Sequence, residues 1–163
     1  MKRATLLLGL SLALLSVTAS ADDLIERGRY LARISGCNDC HTAGYPEAAG
    51  KVPEAKWLTG SSVGFSGPWG VTYPANLRLV LGAIAEAEWM QRARMPLRPP
   101  MPWFMLRDMS DDDLRAIYRF VRSLGPAGTP APSYVPPNEL PRTPYIVFVP
   151  QSLAGTASGT TTR

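Results

Sequence analysis

Apolar residues recur at helical spacing in three stretches of the chain, separated by runs without that period. Leu24, Ile25, Gly28, Leu31 and Ala32 share one face of a first predicted helix. Asp22 and Asp23 open it, where the helix dipole favours acidic side chains. A second helix is predicted from about Ala83 to Arg94. The third has the sharpest limits. Ser110 is an N-cap with Asp113 three residues on, and Leu114, Ile117, Tyr118, Val121 and Leu124 form an apolar stripe that Gly125-Pro126 ends. Between the first two helices, Thr42 to Leu81 is rich in Gly and Pro and predicts mostly loop. A loop this long in a compact domain usually wraps or serves something. Pro96, Pro99, Pro100 and Pro102 then exclude regular structure ahead of the third helix.

The two ends differ from this middle. Lys2 and Arg3 precede a nearly unbroken apolar run from Ala4 to Val17, and Ala19-Ser20-Ala21 has the small-x-small form of a cleavage site. Residues 1–21 therefore read as a signal peptide cut after Ala21. The alternative, an uncleaved anchor, is disfavoured because the run falls short of the ~20 residues a span needs. From Pro126 to Pro150 the chain carries eight prolines, and its last dozen residues are mostly Ser, Thr, Gly and Ala. The expected organisation is a domain over 22–125, a Pro-rich arm over 126–150 and a disordered tail over 151–163.

Charge adds an exclusion. The 163-residue chain has a net charge of +4, and losing Lys2 and Arg3 leaves 15 basic against 13 acidic residues, a net +2. That is too little for a surface that tracks phosphates, so no nucleic-acid partner is expected. Arg92, Arg94, Arg98 and Arg107 are close enough in sequence for a local basic patch, though a solvated face explains them as well.

The chemistry concentrates in Cys37-Asn38-Asp39-Cys40-His41, the C-x-x-C-H signature of covalent haem attachment. Two thiols three positions apart reach the two vinyl groups of one porphyrin, and the following His is held under the ring against the iron. Other readings fit less well. A thioredoxin-like pair wants a surrounding α/β pattern, a zinc site wants four ligands, and a Cys37–Cys40 disulfide would close a very short loop. The chain has two Cys and one His in all, so a single haem c is expected and bis-His ligation is excluded by counting.

The sixth iron ligand is then sought among Met90, Met95, Met101, Met105 and Met109. Methionine is the usual partner of His where a site only transfers electrons. Met90 falls in a predicted helix and reads as core, whereas Met105 and Met109 read as packing or exposed. Met101 stands between Pro100 and Pro102, where stiff, helix-incompatible backbone suits a thioether held out to a metal. Met101 is the expected ligand, and its alternative is a gap-filling side chain in a loop.

The order helix, C-N-D-C-H, long loop, helix, P-P-M-P-W, capped helix resembles the class I cytochrome c fold over about Leu24 to Leu124. The resemblance implies an all-α domain wrapped around one covalent haem. It implies that Gly28 and Tyr30 let the first helix cross the last closely, with Tyr118 as the opposing aromatic. The segment from Gly67 to Leu77 is similar to one in cytochrome c subunits and partners of bacterial dehydrogenases, which makes Trp69, Tyr73 and Asn76 candidate pocket or propionate contacts. Ordinary loop packing would also account for those three.

The expected function is a periplasmic electron carrier, not an enzyme. Cys37, Cys40, His41 and Met101 hold the cofactor, and His41 and Met101 bind the iron. The partner is a redox protein (a dehydrogenase, an oxidase or another cytochrome), with membrane contact only through it. A haem peroxidase would need acid–base groups over an open iron, and a gas sensor or haem store would need Met101 unbound. The apolar run Tyr145 to Val149 at the end of the arm should be covered, either by this chain's own helices or by the redox partner.

Overall fold

The computed structural model describes residues 20–150. Among these, the helices are α1 (Ala21–Ile34), α2 (Cys37–His41), α3 (Leu77–Gly82), α4 (Glu86–Ala93), α5 (Trp103–Asp108) and α6 (Asp111–Ser123). The expected leader lies outside the described residues except for Ser20 and Ala21, and so does the expected tail over 151–163. In the uncut chain Ser20, which the expected cleavage would remove, caps α1: its Oγ accepts from the Asp23 amide at 3.1 Å, and the Asp23 carboxylate accepts from the Ser20 amide at 3.0 Å. These bonds lower the Asp23 pKa from its ordinary value.

The core forms where α1 crosses α6. A Cβ on Gly28 would lie 2.0 Å from the Ala116 carbonyl oxygen and 2.6 Å from the Phe120 Cβ, so only glycine permits this approach. The aromatic at the crossing is Phe120, fully buried, with the Trp57 ring edge-on at 6.3 Å. The expected pair of tyrosines is elsewhere. Tyr30 is 53% exposed beneath the Arg27 guanidinium, because two residues beyond Gly28 is the opposite side of a helix with 3.6 residues per turn. Tyr118 is buried but faces α4's entry, where its hydroxyl donates to the Ile84 carbonyl at 2.9 Å.

The last helix keeps its expected start and stripe. Ser110 Oγ accepts from the Asp113 amide at 3.1 Å, and Leu114, Ile117, Tyr118 and Val121 are buried. Trp89 from α4 donates its indole N–H to the Leu114 carbonyl at 2.9 Å.

The domain is not all-α. Three short strands, β1 (Gly64–Gly67), β2 (Gly70–Thr72) and β3 (Tyr145–Val147), form one sheet in the order β2-β1-β3. β1 and β2 pair antiparallel with Phe65 opposite Thr72, and β3 runs parallel to β1 with Ile146 opposite Phe65. Strands of three or four residues, two of them built on glycine, carry no alternating pattern to read. The run expected to need cover joins this sheet as an edge strand. Phe148 packs edge-on against Phe65 at 5.7 Å, while Ile146 and Val147 stay half exposed.

Candidate functional site

Gly36 takes a left-handed conformation (φ 72°) that ends α1 and sets off α2 at once. Within α2, Cys37, Cys40 and His41 occupy positions i, i+3 and i+4, which share one face. Asn38 faces the interior instead. Its Oδ1 accepts from Thr42 Oγ1 at 2.7 Å, and that hydroxyl accepts from the Leu58 amide at 2.8 Å, fixing the turn to the core.

Both cysteines are free and half-buried. Burial pushes the Cys37 thiol up to about 11, and burial together with the Asp39 charge raises Cys40. Redox-active pairs depress a thiol pKa, so this environment is the opposite of a thioredoxin-like one. Burial also lowers the His41 pKa and keeps the ring neutral. His41 Nδ1 lies 2.7 Å from the Ala75 carbonyl oxygen, an acceptor, so Nδ1 carries the proton and Nε2 keeps its lone pair. A metal-binding imidazole is oriented by this kind of bond.

The extended segment after β2 joins the two halves of the expected site. Thr72 Oγ1 donates to the Pro99 carbonyl at 2.7 Å, in the Met101 loop, while Ala75 accepts from His41. Three residues span no more than about 11 Å, so one short piece of backbone anchors His41 and the Met101 loop near each other. Met101 itself is half-buried and packs against the core, as do Met90 and Met109. Met95 and Met105 are 59% and 40% exposed.

The three candidate pocket residues part ways. The Trp69 indole N–H is buried and meets no acceptor among the described residues. Tyr73's hydroxyl accepts from Thr143 Oγ1 at 2.8 Å. Asn76 is fully committed to the fold: Oδ1 caps α3 by accepting from the Leu79 amide, and Nδ2 donates to the Ala127 and Thr129 carbonyls. Nor do the four arginines make a free patch. Arg92 pairs with Glu88 and Arg107 with Asp108, Arg98 covers the Tyr134 ring, and Arg94 binds the Leu106 and Met109 carbonyls and Asp111.

Sequence reasoning missed Arg78. It is buried, with Nε on the Gly125 carbonyl at 2.6 Å, Nη1 on Ala55 at 2.8 Å and Nη2 on Leu124, so its charge meets the C-terminal end of α6. An isolated cation inside Leu77-Arg78-Leu79-Val80-Leu81 was the available signal.

The residues fit a covalently held haem. They supply two neutral thiols and a neutral imidazole on one face, a half-buried thioether, and a buried N–H donor in need of an acceptor such as a propionate. Among the described residues no group of three or more His, Cys, Asp or Glu side chains is placed to hold a metal ion by itself.

A C-x-x-C-H turn packed beside a close crossing of first and last helices defines the class of c-type cytochromes. The cytochrome c family model matches residues 25–125, and the chain belongs to that family of electron carriers with covalent haem. It is 32% identical over 110 residues to the cytochrome c subunit of the quinone alcohol dehydrogenase of Gluconobacter oxydans, covering 60% of this chain and 20% of that one. It is 30% identical over 131 residues to the gluconate 2-dehydrogenase cytochrome c subunit of Pantoea cypripedii, covering 70% of this chain and 27% of that one. The chain thus spans about a fifth to a quarter of these relatives' length. No solved structure matches it.

Proposed function

We propose that the chain is a monohaem electron carrier, exported to the periplasm, whose iron is bound by His41 and Met101. Its partner is a dehydrogenase, in keeping with the cytochrome c subunits it is similar to. Haem c, when bound, supplies the one-electron ferric–ferrous couple. Cys37 and Cys40 hold it by thioethers, so the cofactor stays in a small domain through every turnover. His41 presents Nε2 to the metal because its other nitrogen is occupied by Ala75. Met101 offers a weak, soft ligand that favours the reduced state and raises the potential. With His41 and Met101 both on the metal, the site would have no room for substrate chemistry, and the prolines on either side of Met101 would limit movement of its loop on electron transfer.

The observation that carries this reading is the face of α2, where two free thiols and a neutral, oriented imidazole stand at i, i+3 and i+4. After denaturing electrophoresis of the exported protein, haem staining should mark a single band, and its pyridine haemochrome should give one haem per chain. The double variant Cys37→Ala, Cys40→Ala should lose the stain. Complete extraction of the haem by acidified acetone from the unaltered protein would refute covalent attachment.

A further inference from the structure

The loop from Pro96 to Pro102 has no helix or strand among its residues, apart from the turn into α5. Its internal bonds are few: the Met101 amide donates to the Arg98 carbonyl at 3.3 Å, and the Trp103 amide donates to the Met101 carbonyl at 2.8 Å. Besides the packing of Met101 against the core, two contacts from outside fall within three residues of Met101. One is the Thr72 hydroxyl on the Pro99 carbonyl. The other is Arg98, whose guanidinium carbon lies 4.2 Å from the centre of the Tyr134 ring, in the C-terminal arm.

Tyr134 is itself firmly placed. Its hydroxyl donates to the Trp69 carbonyl at 2.7 Å, and its neighbour Val135 exchanges both backbone hydrogen bonds with Val71, at 2.8 and 3.0 Å. Gly70 makes room for that pairing. At φ 95° it adopts a conformation that suits glycine, and a Cβ there would stand 2.2 Å from the Val135 oxygen. The hairpin, the arm and the Met101 loop are therefore one brace, with Tyr134 at its joint.

We infer that Tyr134 is a positioning residue for the sixth iron ligand: its ring holds Arg98, and through Arg98 the loop that keeps the Met101 sulfur in place. The inference rests on Met101 being that ligand. An outside ligand enters only when the sulfur leaves, so the rate of its entry follows the fraction of time the loop is open.

The test is cyanide binding to full-length ferric holoprotein, followed optically. Tyr134→Ala and Arg98→Ala should each speed binding about threefold, the size expected of one exposed cation–π contact. The double variant should go no further than either alone, because both remove the same contact. Tyr134→Phe keeps the ring and the Val135 pairing but gives up the hydroxyl bond to Trp69, so its rate should lie between those of the unaltered protein and Tyr134→Ala. Hydrogen exchange at the Met101 and Trp103 amides should quicken in Tyr134→Ala. A merely structural role would lower the Tm and leave the cyanide rate unchanged, and that result overturns the inference. If unaltered protein binds cyanide as fast as Met101→Ala does, the ligand assignment falls and the inference with it. If unaltered protein is slow and Tyr134→Ala equally slow, the inference alone falls.

Discussion

Replacing one thioether reads the coordination of the iron directly, because ferric haem with a Met ligand shows a weak sulfur-to-iron charge-transfer band that no other ligation gives. Met101→Ala should abolish this band, move the iron to a high-spin or water-bound form and lower the potential. Met90→Leu and Met109→Leu should keep the band, although both side chains also pack against the core. Met105 is 40% exposed, so Met105→Leu should be silent in both spectrum and Tm. Retention of the band in Met101→Ala, with its loss in one of the others, would mean that a different sulfur binds the iron. Asn76 shows the complementary lesson at this scale. From the sequence it was a candidate contact for a propionate, but its amide is spent on capping α3 and tying down Ala127 and Thr129. A short polar side chain beside an apolar run signals a cap as readily as a ligand contact.

Among the elements, the closeness of α1 and α6 depends on one missing methyl. Gly28→Ala would drive Cβ into the Ala116 backbone, which cannot rotate away as a side chain can. The helices would have to separate, at a cost of about 3 kcal/mol or more. The expected outcome is a clear loss of Tm with the attachment motif still intact, measured by thermal melts of the holoprotein. An unchanged Tm would show that the crossing can slide apart freely. The two helices themselves were legible in the sequence, because stripes and caps leave a period to read: Leu31 and Ala32 in α1 and Leu114, Ile117, Tyr118 and Val121 in α6 are buried as their spacing predicts, whereas their crossing was implied only by the family resemblance. α3 and α5, of six residues each, were not legible, since fewer than two turns give no period to detect. The strands failed for a different reason. Gly64, Ser66, Gly67 and Gly70 are poor strand formers, and although β2 pairs with β1 locally, the third strand comes from the far end of the arm, with Tyr145 opposite Gly64.

At the scale of the whole molecule, the arm was the least legible part, because proline-rich composition predicts extension and says nothing about where the extended chain lies. In the structure it runs back over the loop before α3. The Ala127 and Thr129 carbonyls accept from the Asn76 amide, Val135 pairs with Val71, Thr143 donates to Tyr73, and β3 completes the sheet. These contacts predict the result of ending the chain after Gly125. The Asn76 Nδ2 would lose both its acceptors, and an unpartnered buried donor costs about 1–3 kcal/mol. The edge contact of Phe148 on Phe65 would also go. Against this stands the entropy regained by the arm's own residues, which offsets part of the loss. A net loss of about 2 kcal/mol should lower the Tm of a domain near 100 residues by about 8 °C or more. The haem should remain attached, since α2 lies outside the deleted region. A truncated holoprotein with an unaltered Tm but weakened binding to the proposed redox partner would instead make the arm a docking element, and one unaltered in both would reduce it to a spacer.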